Sequence, residues 1–166
     1  MGRPLLDKVM PGAWQAAQDY SAAIREAALA HGLTAQETEF IKVRASQLNG
    51  CTFCLDLHSR QARQSGITQQ QLDLLPAWRE ADIYTERERA VLAIAEAATR
   101  LPITDDSDAD LYAAHGVLGE ETFVAAEWIA VTINAFNRIS ILSEHAVRPR
   151  DADGKVIRTR PEGAHR

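Results

Sequence analysis

The sequence predicts an all-α fold. Apolar residues recur every three or four positions over most of the chain, pairs with capping-box spacing precede several of those runs, and glycines follow them. No stretch ahead of the C-terminal tail alternates β-branched residues between tight turns, which is the mark of a strand. With 166 residues, no internal repeat and no low-complexity tract, the chain is expected to form one helical domain over 1–147, followed by a basic C-terminal arm over 148–166.

Each helix has its own signals. Pro11 suits a first turn, and Trp14, Ala17, Ile24 and Ala28 share one face of a helix that Gly32 ends. Thr34 with Glu37 opens a second helix carrying Phe40, Ile41, Val43 and Leu48 up to Asn49-Gly50. A third begins near Cys51 and runs through Leu55, His58 and Ala62 to Gly66, a suitable left-handed stop. Thr68 caps a short helix ending near Pro76, and Thr85 with Glu88 opens another that contains Val91, Leu92, Ile94, Ala95 and Ala98. A shorter helix is expected from about Ser107 to His115, stopped by Gly116. The longest is expected from Glu120 to about His145. Its apolar residues, among them Phe123, Trp128, Ile133, Phe136 and Ile141, cover most of its circumference, which places it centrally or between subunits. Beyond Val147 six Lys and Arg face three acids, and Asp153-Gly154 admits either a hairpin turn or an arm docking on a neighbouring subunit, of which the arm is the expectation.

Composition excludes several classes of function. Apolar residues at 46% and charged residues at 25% describe a globular protein rather than a disordered or fibrous one. A net charge of -5 provides no broad positive field for polyanions, so nucleic acid is not an expected partner. The longest apolar stretch is interrupted by Glu127, Asn134, Asn137 and Arg138, so no membrane is expected either. The N-terminus has no long apolar run before Asp7, and the expected location is the cytoplasm.

The two cysteines, Cys51 and Cys54, are separated by two residues. On a helix this spacing puts their α-carbons about 5 Å apart on one side, within reach of a disulfide. A bridge closing so small a loop removes little chain entropy, so reversible oxidation explains the pair better than a structural staple. Two thiols packed as apolar side chains are the plain alternative. At a helix start both sulfurs would face unpaired amides and the positive dipole end, and both are expected to favour the thiolate. His58 stands four residues beyond Cys54 and seven beyond Cys51, on the same helical stripe, where an imidazole can take a thiol proton. Dipole reasoning alone makes Cys51 the more reactive sulfur, whereas nearness to His58 favours Cys54. Cys51, Cys54 and His58 could also offer three ligands to zinc, but no fourth stands near them in sequence, so neither metal nor cofactor is expected.

Taken together, Glu39, the run Asn49-Gly50-Cys51-Thr52-Phe53-Cys54, His58 and Gly66 resemble the signature of the alkylhydroperoxidase D-like branch of the carboxymuconolactone decarboxylase superfamily. The pattern is a Glu, eleven residues, a Cys, two residues, a Cys, three residues and a His. Similarity continues through Thr85-Glu86-Arg87-Glu88-Arg89-Ala90 and Ile133-Asn134-Ala135-Phe136-Asn137-Arg138-Ile139, covering most of 33–145. The resemblance implies an AhpD-like multi-helix domain with its CxxC pair at the start of a central helix, assembled as a trimer or hexamer. It also implies thiol-dependent reduction of a hydroperoxide substrate. In that scheme Cys54 is the peroxidatic sulfur, Cys51 resolves the sulfenic acid into a disulfide, and Glu39 with His58 forms a proton relay. A dithiol on a lipoyl or thioredoxin-like protein would then reduce the disulfide.

Some hydroperoxidase members carry a second His just before the second Cys, where this chain has Phe53, which cannot move protons. That departure implies weaker peroxidase activity or an organic hydroperoxide suited to an apolar pocket. Lactone-decarboxylating members generally lack the cysteine pair, which argues against that reaction here. A redox-sensing or assembly protein would use the same disulfide differently, oxidising once and changing its contacts without turnover. Asn134 and Arg138 are read as structural hydrogen-bonding residues, and Glu37 as the capping partner of Thr34.

Overall fold

A computed structural model of the chain describes residues 3–151 and 153–157. Among them the helices are α1 (Leu6–Val9), α2 (Pro11–Ala30), α3 (Ala35–Asn49), α4 (Thr52–Gln64), α5 (Gln69–Leu74), a 3-10 helix (Leu75–Glu80), α6 (Glu86–Thr99), α7 (Asp105–Leu118) and α8 (Glu120–Leu142). The expected all-α, AhpD-like class is the class observed. The extended pairing present among the described residues is one bridge between Arg150 and Val156.

Sequence chemistry sets the helix starts. Thr34 Oγ1 accepts from the Glu37 amide at 3.1 Å while Glu37 Oε2 accepts from the Thr34 amide at 2.9 Å, and the same reciprocal box occurs at Thr68 with Gln71, Thr85 with Glu88 and Thr104 with Ser107. Each such cap stabilises its helix by about 1 kcal/mol. Every residue from Ala90 to Ala97 on α6 is buried, so that helix has no polar face to present and takes the middle position, in contact with α3, α7 and α8. Helices α3 and α8 also pack on each other, α2 lies on α8, and α4 packs against α3. The one carboxylate in the buried run of α6, Glu96, is held by Arg44 of α3, Trp78 of the 3-10 helix and Arg79.

Three boundaries differ from expectation. Ser107 is the third residue of α7 and partner of its cap Thr104, so the helix starts at Asp105. Gly116 lies inside α7, and the positive φ of 75° that stops the helix belongs to Gly119. Helix α8 ends at Leu142, capped by Ser143. The single turn α1 had no sequence signal, since four residues with none buried cannot show a period.

Of the C-terminal segment, Arg158, Arg160, Glu162 and Arg166 lie outside the described residues. The part before them makes the hairpin turn rather than extending: the Gly154 amide donates to the Asp151 carbonyl, the Asp151 amide to the Lys155 carbonyl and the Ile157 amide to the Pro149 carbonyl. No helix among the described residues is long and apolar enough to cross a membrane.

Candidate active site

The connection between α3 and α4 presents the cysteines. Gly50 sits at φ 65°, ψ 28°, a left-handed conformation that costs a side-chain-bearing residue energy, and it lets the chain reverse within one residue of the next helix. The turn is pinned from behind. Asn49 Nδ2 donates to Oδ1 of both Asn134 and Asn137 at 2.9 Å, and Asn137 Nδ2 donates to Ser46 Oγ at 3.0 Å. Arg138 donates to the Asn134 carbonyl and side-chain oxygen. These α8 residues therefore hold the cysteine turn in place and do not themselves line the cavity it faces.

Cys51 is the N-cap of α4, and its sulfur accepts from the Cys54 amide at 3.4 Å. Both cysteines are free thiols and both are buried. The Cys51 thiol also donates to Cys54 Sγ at 2.6 Å. The two sulfurs are not equivalent, because Cys54 reaches a cavity wall and Cys51 does not. The expectation that the helix start favours thiolate at both positions is corrected for Cys51. Burial, together with its donation to Cys54, pushes that thiol up to about 12, and the amide of Cys54 does not offset this.

His58, on the same stripe of α4, lines the cavity with Cys54. Its Nδ1 lies 3.0 Å from Glu39 Oε2 on α3, and Lys42 Nζ donates to Glu39 Oε1 at 2.8 Å. Burial acts to raise the Glu39 carboxyl, but the His58 hydrogen bond and the Lys42 charge outweigh it and hold the group below its ordinary value. All four site residues named from the sequence thus lie at one α3–α4 junction, as two contacting pairs: the sulfurs, and Glu39 with His58.

The cavity is an open cleft of about 1020 Å³. Its apolar walls come from Trp14 of α2, Phe53 of α4 and Ile129, Ile133 and Phe136 of α8. Residues of the segments 5–8 and 145–150 also line it, and the two segments are tied together. Leu6 donates its amide to Ser143 Oγ at 3.0 Å, His145 Nε2 lies 3.2 Å from Asp7 Oδ1, and the His145 ring stands edge-on to Phe53 at 5.2 Å between centroids. Phe53, at the position where some hydroperoxidase members have a second His, thus meets edge-on the imidazole of His145. Sequence reasoning missed this group, and with His145 138 positions after Asp7 no local pattern could have paired them. It also passed over Lys42, whose place one turn after Glu39 was the available signal.

A model of the carboxymuconolactone decarboxylase family matches residues 15–97, which include both cysteines, Glu39 and His58. The chain is 41% identical over 103 residues to the uncharacterized protein YdfG of Bacillus subtilis (strain 168), a match covering 62% of this chain and 70% of that protein. It is also similar to the crystal structure of an Agrobacterium tumefaciens protein of unknown function, proposed to be the antioxidant defence protein AhpD. There the TM-score is 0.73 and the identity 32%, over 88% of this chain and 97% of that one.

Proposed function

Because the chain belongs to the carboxymuconolactone decarboxylase family and has an AhpD-like all-α fold, we propose that it is a thiol-dependent hydroperoxide reductase. The observation that carries this reading is the asymmetry of the sulfurs: one on the wall of a cavity that an imidazole also lines, the other off that wall and in contact with the first. Cys54, as thiolate, attacks the terminal oxygen of the hydroperoxide. An S–O bond forms, the O–O bond breaks, and the departing alkoxide takes a proton delivered through His58, giving an alcohol and the Cys54 sulfenic acid. Cys51 then attacks that sulfur, forming the disulfide and releasing water, with its own proton leaving on the hydroxide. An external dithiol, carried on a lipoyl or thioredoxin-like protein, returns both cysteines to thiols and is itself oxidised to a disulfide.

The high proton affinity of Cys51 argues against it as the sulfur that meets the peroxide and leaves that part to Cys54 on the cavity wall; Cys51 gives up its proton only as it attacks the sulfenic acid. Glu39, held ionised, orients His58 and stabilises the imidazolium between proton transfers. A reducing compartment such as the cytoplasm would supply the dithiol. Assembly as a trimer or hexamer belongs to the same proposal, supported by the exposed apolar residues Val124, Trp128 and Val131 on α8. A monomer in sedimentation at micromolar concentration would overturn that part.

The test is steady-state consumption of cumene hydroperoxide with a dithiol donor. The parent protein turns over many times, Cys54→Ser is inactive, and Cys51→Ser is oxidised once and stops. A parent protein that is oxidised once, without turnover, would instead be a redox sensor.

A further inference from the structure

The cavity at Cys54 is much larger than hydrogen peroxide needs. About 1020 Å³ is the upper range of pockets that enclose drug-sized organic molecules. Its charge is also unlike that of the whole chain, which carries -5. Six cationic side chains line it, Lys8, Arg25, Lys42, Arg60, Arg148 and Arg150, against the carboxylates of Asp7 and Asp56.

Pairing does not neutralise that excess. Lys8 is matched by Asp7 and Lys42 by Glu39. Arg60 and Arg150 share the single carboxylate of Asp56, at 3.1 and 3.6 Å. Arg60 Nε is buried without a partner, and Arg150 Nε, also buried and without a hydrogen bond, is the atom that faces Asp56 at 3.6 Å. Arg25 and Arg148 make no ion pair among the described residues. Two planar donors that converge on one carboxylate, one of them with a buried N–H that nothing engages, and two further arginines without an ion pair offer a receptor for a second anion. Arg60 follows Cys54 by six residues on α4, which places it about 9 Å further along the helix axis. Cys54, Arg60 and Arg150 line the same cavity as the apolar side chains of Trp14, Ile133 and Phe136.

We propose that this cavity takes an organic hydroperoxide with an apolar body and an anionic head group, seated with its head on Arg60 and Arg150 and its peroxide at Cys54. The inference rests on the peroxidase reading and adds the substrate class to it. A carboxylate is the simplest such head, and a phosphate offers the same chemistry.

The test has a kinetic arm and a binding arm. In the first, kcat/KM is compared for linoleic acid hydroperoxide, its methyl ester and cumene hydroperoxide. The free acid is expected to exceed its ester by about tenfold or more, the scale of a charge-assisted hydrogen bond. The ratio of acid to ester should fall towards one in the double variant Arg60→Gln and Arg150→Gln. It should rise in Asp56→Asn, which releases both guanidiniums, a change of opposite sign that a folding defect would not mimic. In the second arm, binding of decanoate, decyl phosphate and decanol to Cys54→Ser is measured by calorimetry. Both anions should bind more tightly than the alcohol, and whichever binds more tightly identifies the head group. Equal binding of all three, or an acid-to-ester ratio of one in the parent, overturns the inference. Turnover of cumene hydroperoxide alongside such a ratio leaves the peroxidase reading intact. No turnover of any peroxide, with anion-selective binding retained, sinks that reading and keeps the anion site.

Discussion

Two buried carboxylates on neighbouring helices look alike by burial and differ in every partner. Glu96 on α6 and Glu39 on α3 have side chains only 8% and 10% exposed, and both are held ionised against the cost of burial. Glu96 accepts from Arg44 Nε at 2.8 Å and Trp78 Nε1 at 3.0 Å, with Arg79 beyond. An indole and a guanidinium keep their protons under all ordinary conditions, so that cluster can only hold α3, α6 and the 3-10 helix together. Glu39 accepts from His58 and Lys42, and both of those side chains line the cavity at Cys54. An imidazole has one ring nitrogen that can take a proton and another that can give one, so this cluster can pass one on. Both clusters border a cavity, so what each buried acid can do is decided by whether its partners can change charge.

The sharpest way to break the contrast is to neutralise each acid in turn. Glu96→Gln leaves the Arg44 guanidinium buried without its counter-charge, and it should cost about 3–5 kcal/mol of stability in chemical denaturation. Glu39→Gln should cost much less, about 1–2 kcal/mol, because His58 can shed its proton and the Lys42 ammonium can turn into the cavity. Equal losses would mean that the two clusters are both structural. The next effect is kinetic. Both Glu39→Gln and His58→Ala should slow alkylation of Cys54 by iodoacetamide at neutral pH, by about tenfold or more for His58→Ala. An alkylation rate and pH profile unchanged in His58→Ala would remove the imidazole from the mechanism.

Local chemistry made the scaffold legible from sequence, and distance hid much of the site. The boxes at Thr34 and Thr85 and the stop at Gly50 act within four residues, so they can be read directly. The box at Thr104 escaped because its third residue is Ser107 rather than Glu or Gln, and Gly116 misled because a glycine inside a helix has the same letter as one that ends it. At the site, the spacing of Cys51, Cys54 and His58 followed from one helix. His58 stands 19 positions after Glu39, and only the family pattern joined them. The N-terminal and C-terminal segments that line the cavity, and the Arg150 that reaches Asp56, come from tertiary packing that no periodicity encodes. The depression of both thiols failed at Cys51 for a related reason. The helix dipole is a sequence-readable effect, but the burial that outweighs it is not.

The finest distinction between the two acids lies in the acid limb of stability. Each carboxyl is held below its ordinary value of 4.5, so the unfolded chain binds protons that the folded chain does not. The stabilisation from each ionised acid is therefore complete above about pH 4.5 and is lost as the pH falls through the lower folded value. The stability gap between the parent protein and Glu96→Gln should then be widest near neutral pH and close progressively below pH 4.5. The gap for Glu39→Gln should close over the same limb but from a smaller starting value, since its partners adapt. Denaturant melts at half-unit pH steps resolve this. A Glu96→Gln gap that stays constant into strong acid would show that shape, rather than charge, holds the α3–α6 contact.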